Sequence, residues 1–246
     1  MKILVCISKA PDTTTKISFK DGDTQFDDSG VKYIVNPYDE WYALVRGLEI
    51  KETLGGSVTT ITVGTAEDEA TIRKALAIGA DEAVRINAEA TDAYQVATEI
   101  ANYAKNEGFD LILLGKETID YNGSQVGGMV AEHLDIPFIS LASKLNVEGN
   151  KATLDKEIIG GVQTVEVELP VVASCAKGMA EQRIPNMRGI MAARSKPLKV
   201  VEPSGASKHT EFVKYALPAP KSAVKLIDPE DMDKLVELLH NEAKVI

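Results

Sequence analysis

Short apolar runs alternate with stretches of helical period through about the first 140 residues. The continuous runs fall at 3–8, 58–63, 83–86, 111–114 and 138–141. Runs of that kind fit strands of a parallel sheet covered on both faces. Between them, Trp41, Leu44, Val45 and Leu48 fall at i, i+3, i+4 and i+7, one face of a helix. Asn36 and Pro37 are expected to start it, Asn as the cap and Pro at the first helical position. Asp39 and Glu40 then sit at the positive end of its dipole. Ile72, Ala75 and Leu76 mark a second helix, and Val96, Ala97, Ile100 and Ala104 a third, with Gly79 and Gly108 placed to end them. Val126, Met129, Val130 and His133 mark a fourth. Strand–helix alternation at this spacing predicts an α/β domain with a parallel sheet.

After about residue 142 the pattern changes. Residues 144–147, the pair Gly149-Asn150 and residues 152–158 read as strand, turn, strand. Val165, Val167 and Leu169 alternate with Thr164, Glu166 and Glu168, as in a half-exposed antiparallel strand. Pro170 interrupts it before the core-type run 171–174. From Gln182 the chain reads as a loop that gathers Arg183, Pro185, Arg188, Arg194, Lys196, Pro197 and Lys199. Residues 203–220 show little periodicity, and Asp228-Pro229-Glu230-Asp231 starts a last amphipathic helix with Met232, Leu235, Val236, Leu238 and Leu239. The expected organisation is an α/β core at 1–182 with an antiparallel extension from about 143, a basic loop at 183–199, and an arm at 200–246. Such an arm cannot bury its own apolar face and is expected to pack on a partner subunit.

Composition narrows the class. With 246 residues, 44% of them hydrophobic, the chain can bury a core without metal or disulfide staples. Its net charge of −10 argues against a nucleic-acid surface, which needs a concentrated basic face. No apolar run approaches the ~20 residues of a membrane span. Cys6 and Cys175 lie in apolar runs and read as buried thiols of a reducing compartment. Met1 and Lys2 lead straight into the first strand, which leaves no room for a signal peptide. A soluble, intracellular protein is expected.

Most familiar chemistry is missing. His133, His209 and His240 are scattered, and no Cys or His pair has ligand spacing, so no metal site is expected. There is no G-x-S-x-G, no Walker loop and no G-x-G-x-x-G. The first strand leads into Ser8-Lys9-Ala10-Pro11-Asp12-Thr13, without the glycines that bring backbone to a pyrophosphate. No catalytic residue is expected. The richest segment is Gly115-Lys116-Glu117-Thr118-Ile119-Asp120-Tyr121-Asn122-Gly123-Ser124-Gln125-Val126-Gly127-Gly128. It leaves a strand directly and ends in a helix start, and ligands of open α/β sheets bind beyond strand carboxyl ends. It offers glycines for close approach, Asp120 for hydroxyls, and Ser124 with Gln125 at a helix N-terminus, where free N–H groups suit a phosphate. A glycine-rich turn capped by Ser124 fits the same residues, and composition leaves both readings open. Asn36-Pro37-Tyr38-Asp39-Glu40 reads first as a helix cap, and 183–199 as a solvated basic loop. Met187 is odd there, because an apolar side chain among arginines needs a partner surface or a core.

Taken together, these residues resemble the beta (small) subunits of electron-transfer flavoproteins. The likeness is carried by Asn36-Pro37-Tyr38-Asp39, by Thr71-Ile72-Arg73-Lys74-Ala75-Leu76-Ala77-Ile78-Gly79-Ala80-Asp81, and by Leu113-Leu114-Gly115-Lys116 through Ile119-Asp120 and Gln125-Val126-Gly127. Gly160-Gly161 with 166–174, and Gly189-Ile190-Met191-Ala192-Ala193, continue it in register. The resemblance implies an open, mostly parallel Rossmann-like α/β sheet of the adenine-nucleotide-binding type, with an antiparallel β extension and a C-terminal arm. It also implies an electron carrier: a heterodimer whose alpha subunit carries the redox FAD on a mobile domain, while the beta subunit supports that domain and buries one structural AMP. Carried onto this chain, the AMP contacts would be Cys6, Asn36, Pro37, Tyr38, Asp39, Val63 and the loop from Gly115 to Val126. Residues 183–199 become a recognition loop for acyl-CoA dehydrogenases, anchored by Met187 with Arg188, Ile190 and Met191 around it. Glu157 aligns with an acid that touches the flavin domain, and Thr13 would lie near the flavin ring.

Two departures qualify the likeness. Relatives carry several lysines after the Met-Ala core of the recognition loop, whereas this chain has Ala192, Arg194, Ser195 and Lys196. Bifurcating relatives, which hold a second FAD and use NADH, typically show Asp-Gly-Asp-Thr before Ala-Gln-Val-Gly-Pro. Here the loop reads Asp120-Tyr121-Asn122-Gly123-Ser124, and Gly128 replaces the proline, which favours AMP. An ATP-sensing stress-type domain would lack the basic loop and arm, and an ATP-pyrophosphatase would need Ser-Gly-Gly-x-Asp-Ser after the first strand. The expected partners are thus the alpha subunit, acyl-CoA and related dehydrogenases and a membrane quinone oxidoreductase, as in fatty acid oxidation. With no transit peptide, a bacterial cytoplasm is expected rather than a mitochondrial matrix.

Overall fold

A computed structural model describes residues 1–221 and 223–246. Along the chain it contains β1 (Lys2–Cys6), β2 (Lys9–Pro11), β3 (Phe19–Lys20), β4 (Gln25–Phe26), β5 (Tyr33–Val35), α1 (Asp39–Leu54), β6 (Ser57–Gly64), α2 (Glu69–Ile78), β7 (Glu82–Asn87) and α3 (Ala93–Ala104). There follow β8 (Leu111–Gly115), α4 (Val126–Leu134), β9 (Phe138–Glu148), β10 (Lys151–Ile158), β11 (Gly161–Glu168), β12 (Val171–Cys175), α5 (Met187–Ala193), β13 (Leu198–Val201) and α6 (Met232–Glu237). Nine strands form one sheet in the order β11-β10-β9-β12-β8-β1-β6-β7-β13. Six of its pairings are parallel, and the two that add β10 and β11 are antiparallel. The expected α/β class, with its mostly parallel sheet and antiparallel extension, is what the chain adopts.

Side-chain alternation explains why the central strands are apolar throughout. Ile3 and Val5 of β1 point into a core with Leu44, Leu48, Leu76 and Leu113. Leu4 and Cys6 point the other way, into a core with Ile61, Ile100, Ile112 and Val130. Helices α1 and α2 cover the first face and α3 and α4 the second, so every position of β1 inside the sheet must be apolar. Each fully buried Leu or Ile here contributes about 1.5–3 kcal/mol of transfer free energy.

Several local expectations are corrected. Helix α1 does not start at Pro37: its N-cap is Tyr38, at φ 67, and Asp39 is the first helical residue. Asn36 is fully buried and turned inward, so it cannot cap. The stretches 138–141 and 144–147 are one strand, β9, kinked at Leu141 (φ 55), where it passes from parallel pairing with β12 to antiparallel pairing with β10. Gly79 does end α2, but α3 stops at Ala104, and Gly108 lies in the turn beyond. The segment read as a loop holds α5 and β13, and β13 extends the sheet by pairing in parallel with β7.

The chain divides into two compact units. One comprises Met1–Ile17 and Asp27–Val213 and contains the nine-stranded sheet. The other comprises Ser18–Phe26 and Lys214–Ile246. In the second, Phe19 of the β3–β4 hairpin stacks on Tyr215 with ring centroids 4.9 Å apart, and the Tyr215 N–H donates to the Asp23 carbonyl at 2.8 Å. No residue of α6 is buried, and Val224 and Leu226 are exposed.

Candidate functional site

The chain runs from β1 outward through β6 and β7, then returns to lay β8 on the other side of β1. The strand order thus reverses between β1 and β8, and their carboxyl ends mark the position where open α/β sheets take ligands. Ser8 and Asn36 meet there. The Ser8 N–H donates to Glu40 Oε2 at 2.7 Å, and Ser8 Oγ donates to Glu40 Oε1 at 2.7 Å. Asn36 Nδ2 donates to Ser8 Oγ at 3.4 Å, and the Asn36 N–H donates to the Ser8 carbonyl at 3.1 Å. The Ile119 N–H in turn donates to Asn36 Oδ1 at 3.3 Å. One network thus ties the end of β1, the turn before α1 and the loop after β8.

The carboxylates at this junction are hard to ionise. Burial pushes Glu40 up to about 7, against the two Ser8 donors that favour its charged form. Burial also pushes Asp39 up to about 6; Lys116 and a backbone hydrogen bond from Glu117 oppose this, while the charges of Glu117 and Glu157 add to it. Burial raises the Cys6 thiol far above its ordinary value, with the nearby Glu40 charge adding to the effect, so it is an inert wall residue. Cys175 is buried and raised in the same way.

Two glycines let backbone close in. A Cβ on Gly115 would lie 2.8 Å from the Glu40 nitrogen and 3.0 Å from Asp39 Cβ, so the start of α1 crosses the end of β8 in backbone contact. A Cβ on Gly127 would lie 2.9 Å from Phe138 Cε2 and 3.1 Å from Leu114 Cδ1, so the first turn of α4 lies against the sheet. Ser124 does not cap that helix. It sits at φ 52 and its hydroxyl donates to Glu117 Oε2 at 3.4 Å, while the N-cap residue, Gln125, makes no side-chain cap bond. The first N–H groups of α4 thus keep their capacity for an acceptor from outside.

The structure brings most of the expected nucleotide residues together. Cys6, Val63 and Val126 border one apolar cluster on the α3–α4 side of the sheet. Asn36 accepts from the Ile119 N–H and Asp39 from the Glu117 N–H, and Gly115 lies against Asp39 and Glu40. Pro37 and Tyr38 form the turn between them. Lys116 donates its backbone N–H to Cys175 and pairs with Glu117 at 3.3 Å. Thr118 accepts from Asn122 and Tyr121, shaping a turn in which Asp120, Tyr121, Asn122, Gly123, Ser124 and Gln125 are exposed. The Tyr121 ring stacks on Phe212, centroids 5.3 Å apart. Thr13 lies exposed in the turn after β2, outside this network. In sequence Glu40 reads as a dipole charge and Ser8 only as the residue that opens a glycine-free loop. The available signal was a hydroxyl immediately beyond the first strand.

The second candidate surface is α5. Asn186 Oδ1 caps it by accepting from the Gly189 N–H at 2.8 Å. Met187 and Met191 are 72% and 68% exposed, Arg188 is exposed, Ile190 is partly so, and Ile184 continues the apolar row. Glu157 stands exposed near the end of β10, beside exposed Ile158 and Ile159. Among the described residues no group of three or more His, Cys, Asp or Glu is placed to hold a metal ion, and no helix is long and apolar enough to cross a membrane.

Comparison with known proteins agrees with this architecture. A family model described as "Electron transfer flavoprotein domain" matches residues 23–206. The chain is 37% identical over 260 residues to the electron transfer flavoprotein subunit beta of Bacillus subtilis, covering all of both chains. It is 36% identical over 251 residues to that of Syntrophomonas wolfei, covering 100% of this chain and 98% of the relative. To the human protein of the same name it is 35% identical over 209 residues, covering 82% of each. With the glycine-bearing loop and the exposed methionine helix both within residues 23–206, and with relatives matched along the whole chain, the chain belongs to the electron transfer flavoprotein family, among its beta subunits.

Proposed function

We propose that this chain is the beta half of a heterodimeric electron carrier that holds one AMP as a structural ligand and supports the FAD domain of an alpha subunit. The observation that carries the AMP reading is the pairing of an uncapped α4 N-terminus with the Ser8–Asn36–Glu40 network at the sheet's switch point. In this reading Cys6, Val63 and Val126 take the base, Asp120 the ribose hydroxyls, and Ser124, Gln125 and Val126 the phosphate. Gly115 lets the start of α1 close against the end of β8 beside this site. Bound AMP supplies no redox chemistry; it stabilises the folded state by mass action. Glu157 and Thr13 face the flavin domain of the partner, and the arm packs on the partner's surface.

Met187, with Arg188, Ile190 and Met191, serves as the anchor for acyl-CoA and related dehydrogenases, the electron donors. A membrane quinone oxidoreductase is the acceptor. An apolar anchor ringed by charge suits a transient interface hot spot. The setting is fatty acid oxidation in a bacterial cytoplasm. The deciding experiment is to denature the purified alpha–beta complex and quantify the nucleotides released. One FAD and one AMP per heterodimer are expected; two FAD and no AMP would replace this reading with a bifurcating subunit that uses NADH. For the docking surface, Met187→Ala is expected to weaken electron transfer from an acyl-CoA dehydrogenase, with nucleotide content and assembly unchanged. Unaltered transfer would return Met187 to an ordinary surface residue.

A further inference from the structure

Helix α5 is seven residues long, too short to be stable alone, and presents Met187, Ile190 and Met191 outward; only Ala193 is buried, so burial contributes little to its position. What holds it is a pair of cations exchanged with α2. Arg73, on α2, donates from Nη1 to the carbonyls of Ala193 at 2.9 Å and Lys196 at 2.7 Å, at the C-terminal end of α5. Lys196, just beyond α5, donates from Nζ to the carbonyls of Leu76 at 2.9 Å and Ala80 at 2.5 Å, at the C-terminal end of α2. Each helix end thus has its open carbonyls satisfied by a side chain from the other segment.

Gly189 completes the mount. A Cβ there would run into the Ala77 carbonyl oxygen, so only glycine lets α5 lie directly on the end of α2. Along α5 runs an open groove of about 330 Å³, lined by Ile78, Arg183, Pro185, Asn186, Ala192 and Lys196 among others. Close packing is therefore incomplete along the groove, and the pose of the helix rests on the clamp and the glycine contact together with the Asn186 cap.

We propose that Arg73 and Lys196 are positioning residues for partner docking: their reciprocal clamp on α2 and α5 holds the Met187–Met191 face in its binding pose. The inference rests on the reading of α5 as a docking surface. A prearranged surface lowers the ordering cost of each encounter, so the clamp acts on affinity for the donor and leaves the electron-transfer step alone.

The test uses the assembled alpha–beta complex with an acyl-CoA dehydrogenase as donor. Arg73→Met and Lys196→Met are each expected to raise the KM for the carrier about fivefold with kcat unchanged. Tryptic cleavage after Arg188 and Arg194 should accelerate, and Arg73→Lys should restore part of the loss. Faster cleavage with KM unchanged would overturn the proposal, because the clamp would then be merely structural. Where a Met variant fails to assemble, Gly189→Ala decides: it keeps both cations and lifts α5 from Ala77, so KM should rise, and an unchanged KM refutes the clamp. Met187→Ala run in parallel separates the two readings. A KM effect there without one in the clamp variants sinks only the clamp; silence in Met187→Ala sinks the docking reading itself.

Discussion

The loop after β8 and the segment around α5 make opposite use of similar material. Both are short, contain glycine and lie at the edge of the sheet's core. In the loop, Asp120 to Gln125 are exposed, Asn122 and Ser124 adopt positive φ, and the helix that follows has no side-chain cap. Around α5, Asn186 caps one end, Arg73 and Lys196 close the other, and the Trp41 indole donates to the Arg183 carbonyl at 3.1 Å. On the function proposed above, the difference follows from the size of each ligand. A small molecule can complete the hydrogen bonding of a loop, so donors there are best left open. A macromolecular partner that comes and goes cannot be relied on to order a helix, so the chain does that itself.

The most damaging way to break this contrast is to fill the space the loop depends on. Gly115→Ala puts a methyl 2.8 Å from the Glu40 nitrogen and 3.0 Å from Asp39 Cβ, and both belong to the start of α1, which cannot yield cheaply. The expected cost is about 1–3 kcal/mol of stability, from overpacking at a backbone crossing. The purified complex should also lose most of its adenine nucleotide while α5 still resists trypsin. Full nucleotide content in Gly115→Ala would show that the crossing is not the floor of the site.

The next largest effect concerns Glu40. Its ordinary value of 4.5 rises to about 7 in the fold, so the folded state keeps a proton that the unfolded chain releases. Such a group adds stability that is fully present below about 4.5 and is lost as pH rises through about 7, a swing of roughly 3 kcal/mol at most. Asp39, raised to about 6 by burial, acts in the same direction, with Lys116 and the Glu117 N–H offsetting part of the effect. Glu40→Gln removes the titration and keeps an acceptor for Ser8. Urea unfolding midpoints of the complex between pH 5 and pH 8 should fall for the parent and flatten for the variant. Equal slopes would mean that another group governs the loop's junction with α1.

Legibility followed the range of the interactions. The buried strands were readable because helices cover both sheet faces, which forces continuous apolar runs such as Ile3 to Ile7. The loop after β8 stands out as a candidate site because its glycines follow a strand end directly. What escaped depends on partners far away in sequence. Asn36 looks like a cap until Ser8 and Ile119 are seen to hold it inward. Helix α5 has no periodicity to betray it, since Arg73, 120 residues from Ala193, makes its end. The stretch after β13 is similar: buried Glu99 accepts the N–H groups of Ser204, Gly205 and Ala206, a docking that no local pattern announces.

The smallest expected effect sharpens the contrast most. Arg183 meets Glu52 with two hydrogen bonds, at 2.6 and 3.1 Å, at the base of the α5 segment, and it looks on paper like the strongest ion pair there. The two side chains are 37% and 56% exposed, however, and pairs this open to water contribute about 0–1 kcal/mol. The backbone at Arg183 is held independently through Trp41, which would survive the loss of the pair. Glu52→Gln should therefore leave the KM for a dehydrogenase donor within about twofold of the parent, and its slight effect should vanish at high salt. If it raised KM as much as Arg73→Met, the pose of α5 would depend on surface charge, and the carbonyl clamp would lose its special place.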